Sequence, residues 1–394
     1  MKITVPTIDF GTSKIVTMVA QSNGERCDIV GSGAVPYSGY LQDGWNNPDE
    51  IRDVIRTAID QAQKTGNCRI HELNVGVPGM FTRVIVKEVH VSLTGPDPHV
   101  TAQDVRACFK LAEESGGDRI IHSAPAWFRV DDGKKTLSPV GIKGRELSAM
   151  IELVTADKYF IDDITYRLRD MDIEPREFYS TVAGEATYAL SQDERDKTAM
   201  LIDIGYLCTD VMVMEGDALI FHKCLDIGGG HISADIAEQL NIPFPFVEEK
   251  IKQTYSFNST NQDETYVIPA TEDEPARTVR RDEVTPIIEA KVEEIAEAIN
   301  KALEEGGVKL GKWSNVYLTG GGLILNKGGK DFLAGKLHRI IREAQRTNNK
   351  MTSHVFSSAV GLTILVVTTQ EEQKAPEGGA KGLFSRAFRW LMGY

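Results

Sequence analysis

The chain has 394 residues, of which 41% are hydrophobic and 26% are charged, a composition typical of a globular protein with two or more domains. The 44 basic and 57 acidic residues give a formal net charge of −13 at pH 7. This acidic charge argues against a general nucleic-acid-binding protein, which needs a basic surface. The N-terminus has no signal-peptide pattern, and no run of about 20 apolar residues would span a membrane. We therefore expect a cytoplasmic protein unless another element anchors it.

Strands and helices alternate along the chain, which is typical of α/β layers. The predicted strands are Ile3–Asp9, Ile15–Ala20, Glu72–Val77, Ala199–Asp203, Thr209–Met214 and Val316–Thr319. The predicted helices are Pro48–Thr65, Ala102–Glu114, Lys158–Met171, His231–Leu240 and Thr285–Glu305. In the last of these, Pro286 suits the first turn. Two polar segments without periodicity, Asn258–Arg281 and Thr368–Ala380, are predicted to be a loop and a flexible linker.

The cysteines are scattered, and their spacing indicates neither a disulfide framework nor a zinc site. No two of them form a CxxC pair, and no His/Cys cluster has zinc spacing. We expect reduced thiols in the core at all five positions: Cys27, Cys68, Cys108, Cys208 and Cys224.

One sequence pattern occurs twice, once near the start of each half of the chain. Residues 7–20 read TIDFGTSKIVTMVA and residues 201–214 read LIDIGYLCTDVMVM. Each pattern runs from a strand through an aspartate, an apolar residue and a glycine into a second β-rich strand. The repeat predicts two related halves that each open with a β-hairpin.

The two hairpin turns carry residues suited to a polyphosphate. In the first turn Gly11 permits a positive φ and close approach of a ligand, while Thr12 and Ser13 offer hydroxyls and amides. Asp9, at the strand end, suits Mg²⁺ held through its water shell. Asp203, Gly205 and Thr209 follow the same order in the second turn, so Asp203 is the equivalent metal candidate.

Two further glycine clusters follow. Residues 226–237 read DIGGGHISADIA, with glycines directly before a helix, which predicts an anion site at the helix N-terminus. Residues 316–323 read VYLTGGGL, a strand ending in glycines where a base or ribose would lie against bare backbone. The order of two hairpins, a GGG-helix and a strand-GGG is far more specific than a single glycine triplet.

This ordered set resembles the actin, Hsp70 and sugar-kinase ATPase superfamily, and within it the FtsA family of bacterial cell-division proteins. The resemblance covers nearly the whole chain, through IDFGTSKI, NVGVPGMF, PVGIKGRELSAMIELVTA, IGGGHISADIA, LTGGG and the C-terminal tail. It implies an α/β, actin-like fold of two duplicated RNase H-like halves, with an inserted subdomain that replaces one actin subdomain and contributes to filament contacts.

The resemblance also implies a binding site for ATP and Mg²⁺ between the halves. The implied cofactor-binding residues are Asp9, Gly11, Thr12, Ser13 and Lys14, then Asp203, Gly205 and Thr209, then Gly228, Gly229, Glu249 and Lys252, and finally Gly320, Gly321, Gly322 and Leu323. Asp9 and Asp203 are the metal candidates.

The implied subdomains divide the chain as follows. They are residues 1–85 and 166–197, completed by 355–368; the insert, 86–165; 198–226 with 309–354; 227–308; a linker, 369–380; and a terminal helix, 381–394.

The chain departs from its relatives at two points that bear on hydrolysis. Tyr206 and Leu207 stand where the second phosphate loop is usually glycine-rich, which predicts fewer backbone contacts to phosphate. The stretch 180–185 has no acid aligned with the residue that orients the attacking water, and Glu185 lies at a later position. We expect ATP binding with weak or no hydrolysis, and no catalytic residue is assigned.

The C-terminal segment KGLFSRAFRWLMGY has the pattern of an interfacial membrane helix. At about 100° per residue its apolar side chains fall on one arc, flanked by arginines that attract anionic lipid. The alternative is a helix that docks on protein, against which the preceding linker argues. The predicted membrane-binding residues are Leu383, Phe384, Arg386, Phe388, Arg389, Trp390 and Leu391.

The family resemblance implies a protein that forms filaments with itself and tethers FtsZ filaments to the cytoplasmic face of the cell membrane at the division septum. The C-terminal peptide of FtsZ would dock on residues 227–308, where Arg280, Arg281 and Lys291 are candidate contacts. Other division proteins are further candidate partners, and nucleic acid is not expected. The alternatives are a PilM-like adaptor of type IV pili and a small-molecule kinase of the same superfamily; neither accounts for the tail.

Overall fold

The computed structural model describes residues 3–24, 26–114, 116–117, 119–261, 263–270, 275–311, 314–344 and 353–374. Its strands are β1 (Ile3–Phe10), β2 (Lys14–Ser22), β3 (Cys27–Pro36), β4 (Tyr40–Leu41), β5 (Gly44–Trp45), β6 (Glu72–Val77), β7 (Thr82–Ser92), β8 (Ile120–Val130), β9 (Glu146–Ala156), β10 (Glu174–Ser180), β11 (Ala199–Ile204), β12 (Thr209–Glu215), β13 (Ala218–Leu225), β14 (Thr265–Ile268), β15 (Arg277–Arg280), β16 (Asn315–Thr319) and β17 (Ile341–Glu343). Its α-helices are α1 (Ile51–Gly66), α2 (Ala102–Glu114), α3 (Lys158–Arg169), α4 (Thr181–Ala189), α5 (Gln192–Arg195), α6 (Gly229–Leu240), α7 (Phe244–Phe246), α8 (Arg281–Glu305), α9 (Gly329–Leu337) and α10 (Ser357–Lys374).

Among the residues described, no helix combines the length and apolar character needed to cross a membrane.

The chain divides into two compact units. Unit 1 contains the described residues of Met1–Leu201, Met212–His222 and Gln345–Tyr394. Unit 2 contains those of Ile202–Val211 and Lys223–Ala344.

Two five-stranded sheets have the same strand order, which confirms the duplication expected from the repeated sequence pattern. The first sheet runs β10-β6-β1-β2-β3, and the second runs β17-β16-β11-β12-β13. In each sheet the strand that ends in the aspartate–glycine turn is central and lies beside its hairpin partner. In the first sheet β1 is antiparallel to β2 and parallel to β6, so the turn after β1 lies at the same sheet edge as the end of β6.

Apolar packing on the first sheet fixes the position of its hairpin. The sheet side of α1 contributes Ile51, Ile55 and Ala58 to a core that also contains Phe10 at the end of β1. The ring of Phe160 in α3 meets that of Phe10 edge-on, with centroids 5.5 Å apart. The end of β1 is therefore held by aromatic packing as well as by its strand ladder.

The inserted subdomain is a three-stranded sheet of order β7-β9-β8 with α2 against it. Its strands run from Thr82 to Ala156, whereas the sequence predicts an insert over 86–165. The end of the predicted range differs because α3 packs into the core of the first sheet through Phe160 and Ile164, both fully buried.

Two predicted boundaries in unit 2 differ from the structure. The segment predicted as a loop, 258–281, contains the β14–β15 hairpin, in which Tyr266, Ile268 and Val279 are buried. Helix α8 begins at Arg281, so Pro286 lies in the second turn instead of the first. The two strands, β14 and β15, have only four residues each, so the alternation of buried and exposed side chains is too short to predict a strand from the sequence.

The predicted linker is also partly wrong, because α10 continues through Thr368 as far as Lys374. Gln370 is buried and donates through Nε2 to Asn74 Oδ1 at 3.2 Å, and the Glu371 carboxylate accepts from the Ser22 hydroxyl. These contacts extend the helix into a stretch whose composition resembles that of a linker.

Glu152 is a carboxyl group buried in β9 that accepts a hydrogen bond from the backbone N–H of Leu219 at 2.8 Å. Burial raises the pKa of Glu152 to about 8, and the negative charge of Asp217 acts in the same direction. The folded protein therefore holds Glu152 protonated at neutral pH, while the unfolded chain ionises it.

We expect Glu152→Gln to flatten the decline of stability between about pH 4.5 and pH 8. The folded-state pKa is raised, so the contribution of Glu152 is complete below the unfolded value of 4.5 and is lost as the pH rises through about 8. Glutamine keeps an oxygen for Leu219 but does not titrate. Urea midpoints across this range should fall less for the variant than for the wild type. Glu88→Gln, at an exposed position of β7, is the control, and equal slopes for all three proteins would contradict the prediction.

Candidate functional site

The first predicted phosphate turn lies between β1 and β2 in unit 1. The backbone N–H of Gly11 donates to Lys14 O at 3.1 Å and closes the turn. Gly11 does not adopt the positive φ expected from the sequence. Its missing side chain matters for space instead, because a Cβ there would lie 3.2 Å from Lys14 O. Thr12 is buried, whereas Ser13 and Lys14 are half-buried.

Two tyrosines hold the carbonyl groups of this turn. Tyr37 donates its hydroxyl to Gly11 O at 2.7 Å, and Tyr40 donates to Phe10 O at 2.9 Å. No sequence motif pointed to these tyrosines, which follow the third strand.

Asp9 is buried at the end of β1 and accepts a hydrogen bond from Ser358 Oγ, in the first turn of α10, at 3.2 Å. Burial raises the pKa of Asp9 to about 6, while Ser358 and the charge of Lys14 oppose that rise. Asp9 therefore remains mostly ionised at neutral pH. A buried carboxylate of this kind suits a hydrated Mg²⁺, which keeps several of its waters and takes few protein ligands.

The second turn, in unit 2, is joined to the start of α6. Gly205 N–H donates to Cys208 O at 2.9 Å within the turn, and Thr209 Oγ1 donates to Ile227 O at 2.7 Å. The N–H groups of Gly229 and Gly230 donate to Gly205 O and Tyr206 O at 2.9 and 2.7 Å. The sequence predicts that these helix N-terminal amides bind an anion; in this structure they bind the turn.

The third glycine loop, after β16, packs directly onto the same turn. Gly322 N–H donates to Ile204 O at 2.7 Å. A Cβ at Gly322 would overlap Gly205 O, and one at Gly229 would overlap Gly322. Gly320 has φ +87°, and a Cβ there would overlap the Asp203 carboxylate. The structure thus brings three separate segments of unit 2 into backbone contact: Asp203–Gly205, Gly228–Gly229 and Gly320–Gly322. We call this contact the glycine junction.

A buried ammonium group adjoins this junction. Lys252 ends a π-helix, Val247–Lys252, and its Nζ lies 3.1 Å from Glu248 Oε1 and 5.7 Å from the centroid of the Tyr206 ring. Burial lowers the pKa of Lys252, and Glu248 opposes that effect. The other residue predicted in this segment, Glu249, is exposed.

The backbone after Lys252 is tied to the third loop. Asn326 Nδ2 donates to Lys252 O at 2.6 Å and to Tyr255 O at 3.0 Å. Within that loop Gly321 is half-buried and Leu323 is fully buried, which makes Leu323 a packing residue. The combination of bare backbone and a buried cation fits the nucleoside and phosphate parts of a nucleotide. Tyr206, Glu248 and Asn326 belong to this site without having been predicted.

Two of the predicted FtsZ contacts form ion pairs within the folded chain. Arg281 is buried and binds Glu264 Oε2 at 3.0 Å and Ser256 O at 2.6 Å. Lys291 pairs with Asp235 at 2.9 Å and with Glu294 at 2.6 Å.

Among the three predicted contacts, Arg280 has the exposed side chain, and it pairs with Asp282 at 2.8 Å. The predicted membrane-binding residues, between 383 and 391, lie outside the described residues.

Comparison with known proteins identifies the family. The family model for the cell division protein FtsA matches residues 200–361, and the model for the SHS2 domain inserted in FtsA matches residues 79–155. The cell division protein FtsA of Pseudomonas aeruginosa is 24% identical over 412 residues, covering 98% of this chain and 97% of the relative. That of Bacillus subtilis is 26% identical over 306 residues, covering 76% and 70%.

Solved structures share the fold at low sequence identity. A PilM–PilN type IV pilus biogenesis complex has a TM-score of 0.62 at 16% identity, covering 93% of this chain and 99% of that chain. MreB5 of Spiroplasma citri bound to ADP has a TM-score of 0.56 at 11% identity, covering 95% and 99%. These likenesses establish an actin-like fold. The two family models and the relatives that span nearly the whole chain show that this protein belongs to the FtsA family of bacterial cell-division proteins.

Proposed function

We propose that this cell-division protein binds ATP with Mg²⁺, forms filaments, and tethers FtsZ to the cytoplasmic face of the membrane through its C-terminal segment. The observation that carries the nucleotide part is the glycine junction of unit 2 beside the buried Lys252. A bound Mg²⁺ would neutralise phosphate charge, and each unit offers one candidate carboxylate for its water shell, Asp9 in unit 1 and Asp203 in unit 2.

Each unit has its own proposed task. In unit 2, Gly320–Gly322 would take the adenosine, and Lys252 with the second turn would take ribose and phosphate oxygens. In unit 1, the turn at Gly11–Lys14 would bind phosphate through hydroxyls and amides. The fold supports this assignment, since MreB5 of Spiroplasma citri has been solved with ADP and with AMPPNP.

We propose that ATP hydrolysis is weak or absent. Glu185, the acid nearest to the expected water-orienting position, is buried in α4. Helix α10 covers it closely, because a Cβ at Gly361 would lie 2.6 Å from the Glu185 Cα. The buried side chain of Glu185 is therefore poorly placed to orient a water on a bound nucleotide.

The tether part of the proposal follows from family membership and from the amphipathic pattern of residues 381–394. A partner peptide of FtsZ would dock on residues 227–308, where Arg280 is the exposed basic candidate. The likeness to the pilus protein is one of fold, whereas both matching family models are those of FtsA, so the division function is preferred.

We expect the affinity for Mg²⁺–ATP to depend on pH through Asp9. Asp9 must be ionised to hold the cation, so affinity should be constant above neutral pH and fall as the pH drops through about 6. Asp9→Asn should lower affinity at least about tenfold and remove the pH dependence. Calorimetric titration with and without Mg²⁺, repeated across this pH range, measures both effects. Asp53→Asn, on the exposed side of α1, is the control, and an Asp9→Asn variant with wild-type affinity would refute the assignment.

We expect Gly320→Ala to destabilise the protein by about 1–3 kcal/mol, because alanine is strained at φ +87° and would overlap Asp203. Gly335→Ala is the matched control: it lies inside α9 with nothing within 4 Å of a Cβ, and should be neutral or stabilising by up to about 1 kcal/mol. Urea midpoints separate the two cases. ATP affinity should fall for Gly320→Ala alone, and identical behaviour of both variants would count against the junction.

We expect the full chain, but not a chain ending at Lys374, to sediment with anionic liposomes and to carry FtsZ with it. The truncation keeps α10 whole. Replacing both Arg386 and Arg389 by alanine should weaken binding roughly 30-fold, since each basic residue contributes about 1 kcal/mol near an anionic surface. If the truncated chain sediments as well as the full chain, the tail is not the membrane anchor.

A further inference from the structure

The turn after β11 and the neighbouring strands β12 and β13 bring together two cysteines and an aspartate that are not part of the proposed nucleotide contacts. Cys208 ends the turn before β12, Asp210 lies in β12, and Cys224 lies near the end of β13. Their Sγ atoms and a carboxylate oxygen all lie within 4.8 Å of one another. All three residues belong to unit 2. Cys208 and Cys224 are 16 positions apart in sequence, and pairing of the strands brings them together.

We propose that Cys208, Cys224 and Asp210 form a binding site for a thiophilic divalent cation of the Zn²⁺ class. Zn–S bonds of about 2.3 Å and a Zn–O bond of about 2.0 Å place the ligand atoms of a tetrahedral site between about 3.5 and 4 Å apart, so small side-chain movements complete the set. Two sulfur ligands favour Zn²⁺ over Mg²⁺ or Ca²⁺, which prefer oxygen. A fourth position is left for water or an anion.

Binding of a cation would change the protonation of the cluster. Binding the cation displaces the thiol protons of Cys208 and Cys224 to solvent and leaves two thiolates and one carboxylate around it.

A cation bound to Cys208 and Cys224 would cross-link the second turn to β13. Cys208 O already accepts a hydrogen bond from Gly205 N–H. A Cβ at Gly228 would lie only 2.9 Å from the backbone nitrogen of Cys208. A cation held by Cys208 and Cys224 therefore adds a cross-link at the root of the glycine junction. We expect Zn²⁺ to raise the melting temperature of the full chain, because it binds the folded state. The inference is independent of nucleotide binding, since metal binding is measured directly.

The test uses the full chain without a polyhistidine tag, reduced and freed of metal. Zn²⁺ is titrated against a chromophoric chelator, and Co²⁺ is added separately to detect thiolate-to-cobalt charge-transfer absorption. We expect one cation per chain and a charge-transfer band. Cys208→Ser and Cys224→Ser should each lower Zn²⁺ affinity by at least about tenfold and weaken the band. Asp210→Asn should lower the affinity and retain the band, and Cys68→Ser is the control.

A second measurement needs no variant and so does not depend on how well each one folds. Zn²⁺ should protect Cys208 and Cys224 of the wild-type chain from alkylation, read by mass spectrometry, and leave the rates of Cys27 and Cys68 unchanged. Failure of the wild type to retain Zn²⁺ against the chelator would overturn the proposal, as would protection spread evenly over all cysteines. Formation of a Cys208–Cys224 disulfide that Zn²⁺ does not prevent would replace the metal site by a redox pair.

Discussion

The contact of bare backbone with bare backbone in unit 2 is the constraint on which the candidate site depends. Gly320 and Gly322 meet the turn at Asp203–Gly205, and Gly229 meets Gly322, at distances that leave no room for a Cβ. Hydrogen bonds from Gly229 and Gly322 to that turn then fix the loops in place. At each of these glycines a Cβ would lie 2.3–2.4 Å from a backbone atom, so a substitution cannot be absorbed by rotamer changes alone and must move the backbone.

The carbonyl groups of both hairpin turns accept hydrogen bonds, but the donors differ between the two turns. A polyphosphate is repelled by carbonyl oxygens, so a turn that approaches one must direct its carbonyl groups elsewhere. In unit 1 the hydroxyls of Tyr37 and Tyr40 engage the carbonyl groups of Gly11 and Phe10. In unit 2 the N–H groups at the start of α6 engage Gly205 and Tyr206. The N–H groups at the start of α6 therefore hold the turn in place. The positively charged side chain of Lys252 lies beside the same turn.

The sequence predicted the two related halves and the glycine loops because both depend on short, local patterns. The repeated Asp-x-Gly pattern marks the ends of β1 and β11, and glycine triplets mark close backbone approach wherever they fall. Ser358 and Asn326 were not predicted, since each reaches its partner from a distant segment without a motif. Arg281 was misjudged because a basic residue in a sequence does not reveal that Glu264 and Ser256 satisfy it in the folded chain. The cysteine pair was missed for a related reason, as strand pairing brings together residues whose spacing has no metal signature.

The course of α10 joins the first turn to the proposed membrane segment. The helix has 18 residues and is about 27 Å long. At its start Ser358 binds Asp9, at its middle Thr363 binds Thr7 of β1 at 2.8 Å, and near its end Gln370 binds Asn74 of β6. Its buried face packs against Val5, Ala20 and Tyr179 of the first sheet. If residues 381–394 hold the membrane, any load on them reaches unit 1 through a helix that is fixed along its length to the strand carrying Asp9. Six residues, 375–380, lie in sequence between the end of α10 and the proposed membrane segment. Membrane attachment of that segment would therefore restrain unit 1 at the end of α10.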